Sequence, residues 1–206
     1  MSNFLVRPET TPRGGILVIH AWWGLNDFTK AFCKRLSKEG YIVLAPDLYD
    51  GGIAKDIRGA EKLRGKMKRE TASRQILDGL DHLKQATGEP AGLIGFSLGA
   101  YWSLWLVEAR PGDIAATVLF YGTRGGKYEK TKSAFLGHFA ENDPFVSESG
   151  RKKLEKTLSS AGRETTFHVY PETHHWFFEK DRPEYRAEAA RLAWKRTLDF
   201  LRTWSG

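Results

Sequence analysis

At 206 residues the chain is long enough to bury one substantial core and short for two domains of typical size, so a single domain over 1–206 is expected. Hydrophobic and charged shares of 41% and 28% exclude long disorder and collagen-like repetition, and the longest apolar runs, Ile16 to Ile19 and Ile42 to Ala45, fall far short of the roughly 20 residues that cross a bilayer. A net charge of +7 and a pI near 9.5 admit an anionic partner, but no zinc-ligand set, aromatic RNA-binding signature or glycine-rich phosphate loop accompanies the charge, so nucleic acid is not an expected partner.

Met1 to Arg13 is polar and charged throughout and lacks the apolar segment of a secretory signal, which predicts a cytoplasmic protein. Ile16 to His20 reads as the first central strand. Phe28, Ala31, Phe32 and Leu36 then recur at helical spacing, with Asn26 or Asp27 available as N-cap and Gly40 just past the end. The single cysteine, Cys33, has no partner for an internal disulfide, in keeping with a reducing compartment. Tyr41 to Ala45 is the next strand, stopped by Pro46. The basic residues concentrate from Lys55 to Arg74, among them Arg58, Lys62, Arg64, Lys66, Lys68 and Arg69, and this stretch reads as a solvated helix face. Ile76, Leu80 and Leu83 mark one side of a helix that Gly88 closes.

Leu93 to Phe96 is a third strand, and Ala100 to Ala109 a helix whose aromatic content predicts deep burial. Ala115 to Phe120 and Ala134 to Phe139 are two more apolar strands; the connection between them, Tyr121 to Ser133, is rich in glycine and lysine and lacks the periodicity of an inserted lid helix. Leu154, Leu158 and Ala161 give another helical face, Thr166 to Tyr170 a sixth strand, and the final helix is expected to open near Pro183 with Ala189, Leu192 and Phe200 facing inward. Short β-rich runs alternating with helical stretches predict an α/β protein with a mostly parallel sheet and helices on both faces.

The chemistry gathers at Gly95-Phe96-Ser97-Leu98-Gly99, which stands directly between a strand and a helix. That context turns a common five-residue pattern into a nucleophile elbow, with Ser97 in a strained turn at a helix N-terminus. A serine hydroxyl needs a base within hydrogen-bond reach and a carboxylate to fix that base's tautomer. On such an elbow the chain order is serine, acid, histidine, each after a different strand. Asp143, preferred over Glu141, follows the strand ending near Phe139, and His174 and His175 follow the strand ending at Tyr170. His20 and His138 also lie at or within strand ends but precede the place where a base is expected, and read as packed or loop histidines. The N–H of Leu98, after the nucleophile, and that of Trp22, in the loop after the first central strand, are the expected oxyanion donors. Trp22, Trp23, Phe145 and Trp176 are candidates for the wall of an apolar acyl pocket.

Five stretches make the chain resemble the dienelactone hydrolase family of the α/β-hydrolases, from about Gly15 to near the C-terminus. They are Gly24-Leu25-Asn26, Gly40-Tyr41 leading to Pro46-Asp47-Leu48-Tyr49, the elbow itself, His138 to Val146, and Arg196 to Leu201. The resemblance implies an α/β-hydrolase fold with about six to eight strands and no large lid. It places the base on His175, rather than His174, through the run Tyr170-Pro171-Glu172, and it agrees with Asp143 and the Trp22 N–H. Three departures stand out: Ser97 replaces the family's cysteine, Ala21 a glutamate contacting that thiol, and Glu179 a substrate-binding arginine. A second such arginine corresponds to Arg58. The resemblance and its departures together imply a Ser-His-Asp hydrolase of small esters or lactones acting through an acyl-enzyme, without metal or cofactor, as a monomer or homodimer. The rivals are a thioesterase or peptidase on the same residues, and a non-catalytic binder using the basic surface.

Overall fold

A computed structural model of the chain describes residues 3–204. Its strands are β1 (Phe4–Val6), β2 (Gly14–Ile19), β3 (Tyr41–Ala45), β4 (Ala91–Phe96), β5 (Ile114–Phe120), β6 (Ala134–Asn142) and β7 (Thr165–His174). Its helices are α1 (Asp27–Lys38), α2 (Ile57–Lys66), α3 (Arg69–Thr87), α4 (Leu98–Ala109), α5 (Glu148–Ser160) and α6 (Ala187–Trp204). The strands form one sheet in the order β1-β3-β2-β4-β5-β6-β7, antiparallel only where β1 joins β3. This is the α/β-hydrolase architecture, and no helix interrupts the connection between β5 and β6 to form a lid.

Alternation along the strands divides the core. Ile16, Val18, Ile94, Phe96 and Phe120 point to one face, where α1 and α6 bring Phe32, Leu36, Ala193 and Leu201. Leu17, Ile19, Leu93 and Leu119 point to the other, covered by α3, α4 and α5 through Ile76, Leu80, Trp102 and Leu158. These strands are buried on both sides, which is why they read as unbroken apolar runs. Local signals fix the helix ends: Asn26 is the N-cap of α1, its side chain accepting from the Thr29 N–H at 3.0 Å, and Gly88 closes α3 in the left-handed conformation at φ 74°.

Two expectations shift. The last helix begins at Ala187 rather than near Pro183, because residues 183–186 are taken up by a turn whose Arg186 N–H bonds the Phe177 carbonyl at 2.9 Å. Leu192 is exposed; Ala190, Ala193, Thr197 and Leu201 make the inward face of α6, with Ala189 and Phe200 half-buried against the same core. The basic stretch forms two helices, α2 and the start of α3. Of α2 only Ala60 is buried, so its apolar periodicity was too weak to mark it as an element.

The sheet order places a topological switch between β2 and β4. The chain leaves β2 toward α1 on one face and β4 toward α4 on the other, which opens a crevice at the strands' C-terminal ends.

Candidate active site

Ser97 is the single residue between β4 and α4. Its backbone is held at φ 50°, ψ −107°, outside the ordinary regions for an L-residue, and the fold pins it there with a hydrogen bond from its N–H to the Phe120 carbonyl at 2.9 Å. The two flanking glycines are needed for packing. A Cβ on Gly95 would lie 2.4 Å from the Gly99 carbonyl oxygen, and one on Gly99 would lie 2.0 Å from the carbonyl oxygen of Ile19. The N-terminus of α4 is thereby pressed against the end of β2, beside the loop that carries Trp22.

The partners of Ser97 arrive on β6 and β7. Both strands run further than the apolar pattern indicated, to Asn142 and His174, and these two residues are paired in register. The next residue on each chain, Asp143 and His175, is therefore delivered to the same spot on the rim. His175 Nε2 lies 2.8 Å from Ser97 Oγ, and its Nδ1 lies 2.7 Å and 2.9 Å from the two carboxylate oxygens of Asp143. Asp143 Oδ1 also accepts from the N–H groups of Phe145 and Val146, so the same carboxylate shapes the turn and orients the ring. Imidazole and carboxylate side chains are almost wholly buried, at 3% and 2% exposure. Positive φ values at Glu172 and Trp176 bend the chain on either side of His175. His174 faces away: its Nδ1 is 3.0 Å from the Asn142 carbonyl oxygen. Glu141 is occupied by the Glu172 N–H.

The N–H groups of Trp22 and Leu98 have no hydrogen-bond partner among the described residues, and both residues line the cleft over Ser97. This cleft has a volume of about 510 Å³. One wall is aromatic: Trp22 stacks on Trp176 at 5.9 Å between centroids, and Phe145 meets Trp22 edge-on at 5.6 Å and His175 at 4.9 Å. Trp23 is a layer behind, packed on Trp176 and covered by the Arg182 guanidinium at 4.1 Å; it is absent from the lining. Arg58 is exposed on α2 and is not in the lining either, whereas Arg64 and Arg69 are.

Sequence reasoning missed Tyr121, whose signal was its place at the C-terminal end of β5, on the same rim as Ser97. Held at φ 38°, it lines the cleft, sets its ring 4.9 Å from that of His175, and donates from its hydroxyl to Glu179 Oε1 at 2.8 Å. Burial pushes the Glu179 carboxyl up to about 8, against the opposing pull of the Tyr121 hydrogen bond. The position where the resemblance implies an arginine thus holds a buried acid whose carboxyl is pushed toward its protonated form.

The family profile described as the dienelactone hydrolase family matches residues 1–205. A Yersinia pestis protein provisionally named a carboxymethylenebutenolidase is 28% identical over 96% of this chain and 82% of its own length. Among solved structures, one from Klebsiella pneumoniae provisionally described as a dienelactone hydrolase superposes with a TM-score of 0.83 at 24% identity, covering 98% of this chain and 92% of that one. A dienelactone hydrolase-like promiscuous phosphotriesterase from metagenomic libraries gives 0.84 at 22% identity, covering 99% and 92%.

Proposed function

Because this chain belongs to the dienelactone hydrolase family, we propose that it is a serine hydrolase cleaving small carboxylic esters or lactones through an acyl-enzyme intermediate. The observation that carries this reading is the 2.8 Å contact of Ser97 Oγ with His175 Nε2, backed by Asp143 on the other ring nitrogen.

The carboxylate of Asp143 accepts the Nδ1–H of His175, which leaves Nε2 unprotonated and directed at the serine. As the hydroxyl oxygen attacks the acyl carbonyl, its proton passes to Nε2, and the negative charge developing on the substrate oxygen is met by the N–H groups of Trp22 and Leu98. The protonated ring then gives its proton to the departing alkoxide. Water enters by the same path, loses a proton to Nε2, and releases the acid with Ser97 restored. The aromatic wall of Trp22, Phe145 and Trp176 suits an apolar acyl or alcohol group. With no lid helix to cover a long chain, short acyl groups are favoured.

The test is labelling with a fluorophosphonate probe together with hydrolysis of p-nitrophenyl esters of graded length. Wild type is expected to be labelled and to prefer short esters, and Ser97→Ala to lose both labelling and turnover. Labelling that persists in Ser97→Ala, or a wild type that neither labels nor turns over any ester, overturns the reading.

A further inference from the structure

The geometry points to His20 as a positioning residue that sets the direction of the Trp22 N–H through the carbonyl of Ala21; this inference rests on Trp22 being an oxyanion donor, as proposed above. His20 follows β2 directly and is fully buried. Its Nδ1 is 2.6 Å from the Ala21 carbonyl oxygen, which has no proton to give, so Nδ1 carries the hydrogen and donates. Its Nε2 is 3.2 Å from the Leu48 N–H, which only donates, so Nε2 is bare and accepts. The two contacts agree on a single neutral tautomer. Burial, which pushes the imidazole pKa below its ordinary value, favours the same state.

The choice of carbonyl gives this arrangement its consequence. Ala21 C=O and Trp22 N–H belong to the same planar trans peptide and point in opposite directions, so anchoring the oxygen aims the hydrogen. The Ala21 oxygen accepts a second bond from the Gly24 N–H at 3.2 Å, so two donors hold it, while the N–H of Trp22, a residue lining the cleft, has no hydrogen-bond partner among the described residues. Donation to the oxygen also polarises the amide, which strengthens its N–H as a donor. The loop is tied at its far end as well, by the Ala54 N–H to the Trp23 carbonyl at 2.9 Å. The imidazole, spanning from Ala21 to the backbone after β3, is the side chain that fixes its near end. Both ring nitrogens of His20 are engaged by backbone and neither by Ser97, so its influence on the reaction passes through the peptide it holds.

The experiment compares His20→Leu, His20→Asn and His20→Gln with wild type, using kcat and KM for p-nitrophenyl acetate, the inhibition constant of a trifluoromethyl ketone that forms a tetrahedral adduct, and thermal unfolding. Asparagine keeps an amide N–H where Nδ1–H stands, whereas glutamine reaches toward the Leu48 N–H and leaves the Ala21 carbonyl. His20→Leu is expected to lose about 10- to 100-fold in kcat, below or near the cost of removing an oxyanion donor outright. KM should stay within about twofold, and affinity for the ketone should fall by the same factor as kcat. His20→Asn should recover most of the loss and His20→Gln little. A folded His20→Leu with unchanged kcat, a loss confined to KM, or His20→Gln matching or exceeding His20→Asn overturns the proposal. If His20→Leu does not fold, the order of Asn and Gln decides. An inactive, unlabelled wild type sinks the serine-hydrolase reading itself, whereas an active wild type with indifferent variants sinks only the role of His20.

Discussion

At the scale of single residues, the site differs from its surroundings in how much polar chemistry it buries with partners. Asp143 satisfies two backbone donors and one imidazole nitrogen with its two oxygens, which lets a carboxylate sit at 2% exposure without a cation beside it. Glu179 is buried as deeply but, among the described residues, receives only the Tyr121 hydroxyl on Oε1, and desolvation dominates, raising its pKa from 4.5 to about 8. A carboxyl raised in the folded state binds its proton more tightly there than in the unfolded chain. Its contribution to stability is therefore complete below about pH 4.5 and is lost as pH rises toward about 8. Glu179→Gln, which has no proton to lose, is expected to remove this term: the melting temperature of the variant relative to wild type should climb between pH 5 and 8. Parallel curves for the two proteins over that range would show that Glu179 ionises as readily in the folded state as in the unfolded chain, so that burial does not raise its pKa. Neither this acid nor its tyrosine partner was legible as a pair in the sequence, since 58 residues separate them.

At the scale of elements, the elbow depends on how closely α4 approaches β2. The side chain missing at Gly99 lets the start of the helix approach the Ile19 carbonyl, just ahead of the loop that carries Trp22, and Leu98 and Trp22 line the same cleft as Ser97. Gly99→Ala places a Cβ 2.0 Å from the Ile19 carbonyl oxygen, a clash with backbone that no side-chain rotation relieves. Overpacking of this kind typically costs about 1–3 kcal/mol, a drop of roughly 2–12 °C in melting temperature for a chain of this size. On the proposed mechanism the same shift should lower kcat more than it raises KM, because the displaced N–H would meet charge that exists only in the transition state. Unchanged melting and turnover in Gly99→Ala would mean that the helix does not need this contact. The strand-turn-helix context of the motif was readable in the sequence because it is local: an apolar run, a glycine-flanked serine and a helical period in immediate succession. The lengths of β6 and β7 were not, because their last residues are polar and are held as strand by pairing with each other beyond the apolar core.

At the scale of the whole molecule, the positive charge has a position relative to the cleft. Most of the basic residues of α2 and the start of α3 are exposed, but Arg64 and Arg69 line the opening over Ser97. Being exposed, each contributes on the order of 1 kcal/mol or less to holding an anionic group. Replacing both by alanine is accordingly expected to shift preference away from a carboxylate-bearing ester and toward a neutral one of similar size by about 5- to 10-fold in kcat/KM at low salt. The shift should shrink as ionic strength rises and the screening length falls below about 10 Å; an unaltered preference at low salt would assign these arginines to solubility alone. By itself the sequence determined the alternation of strands and helices, the elbow at Ser97 and the order in which an acid and a histidine come after it, since each of these is written in residues that are neighbours along the chain. Only the tertiary structure decided which neighbours do what. Trp22 rather than Trp23 faces the cleft, and Arg64 and Arg69 rather than Arg58 reach its rim; the tie between His174 and His175, open in the residues themselves and broken by the family resemblance, comes out with His175 turned to the serine. The physical reason is shared: adjacent residues at the end of a strand, or a few positions apart on a helix, point to different sides, and the side that matters is fixed by pairing register and packing against segments far away in the chain.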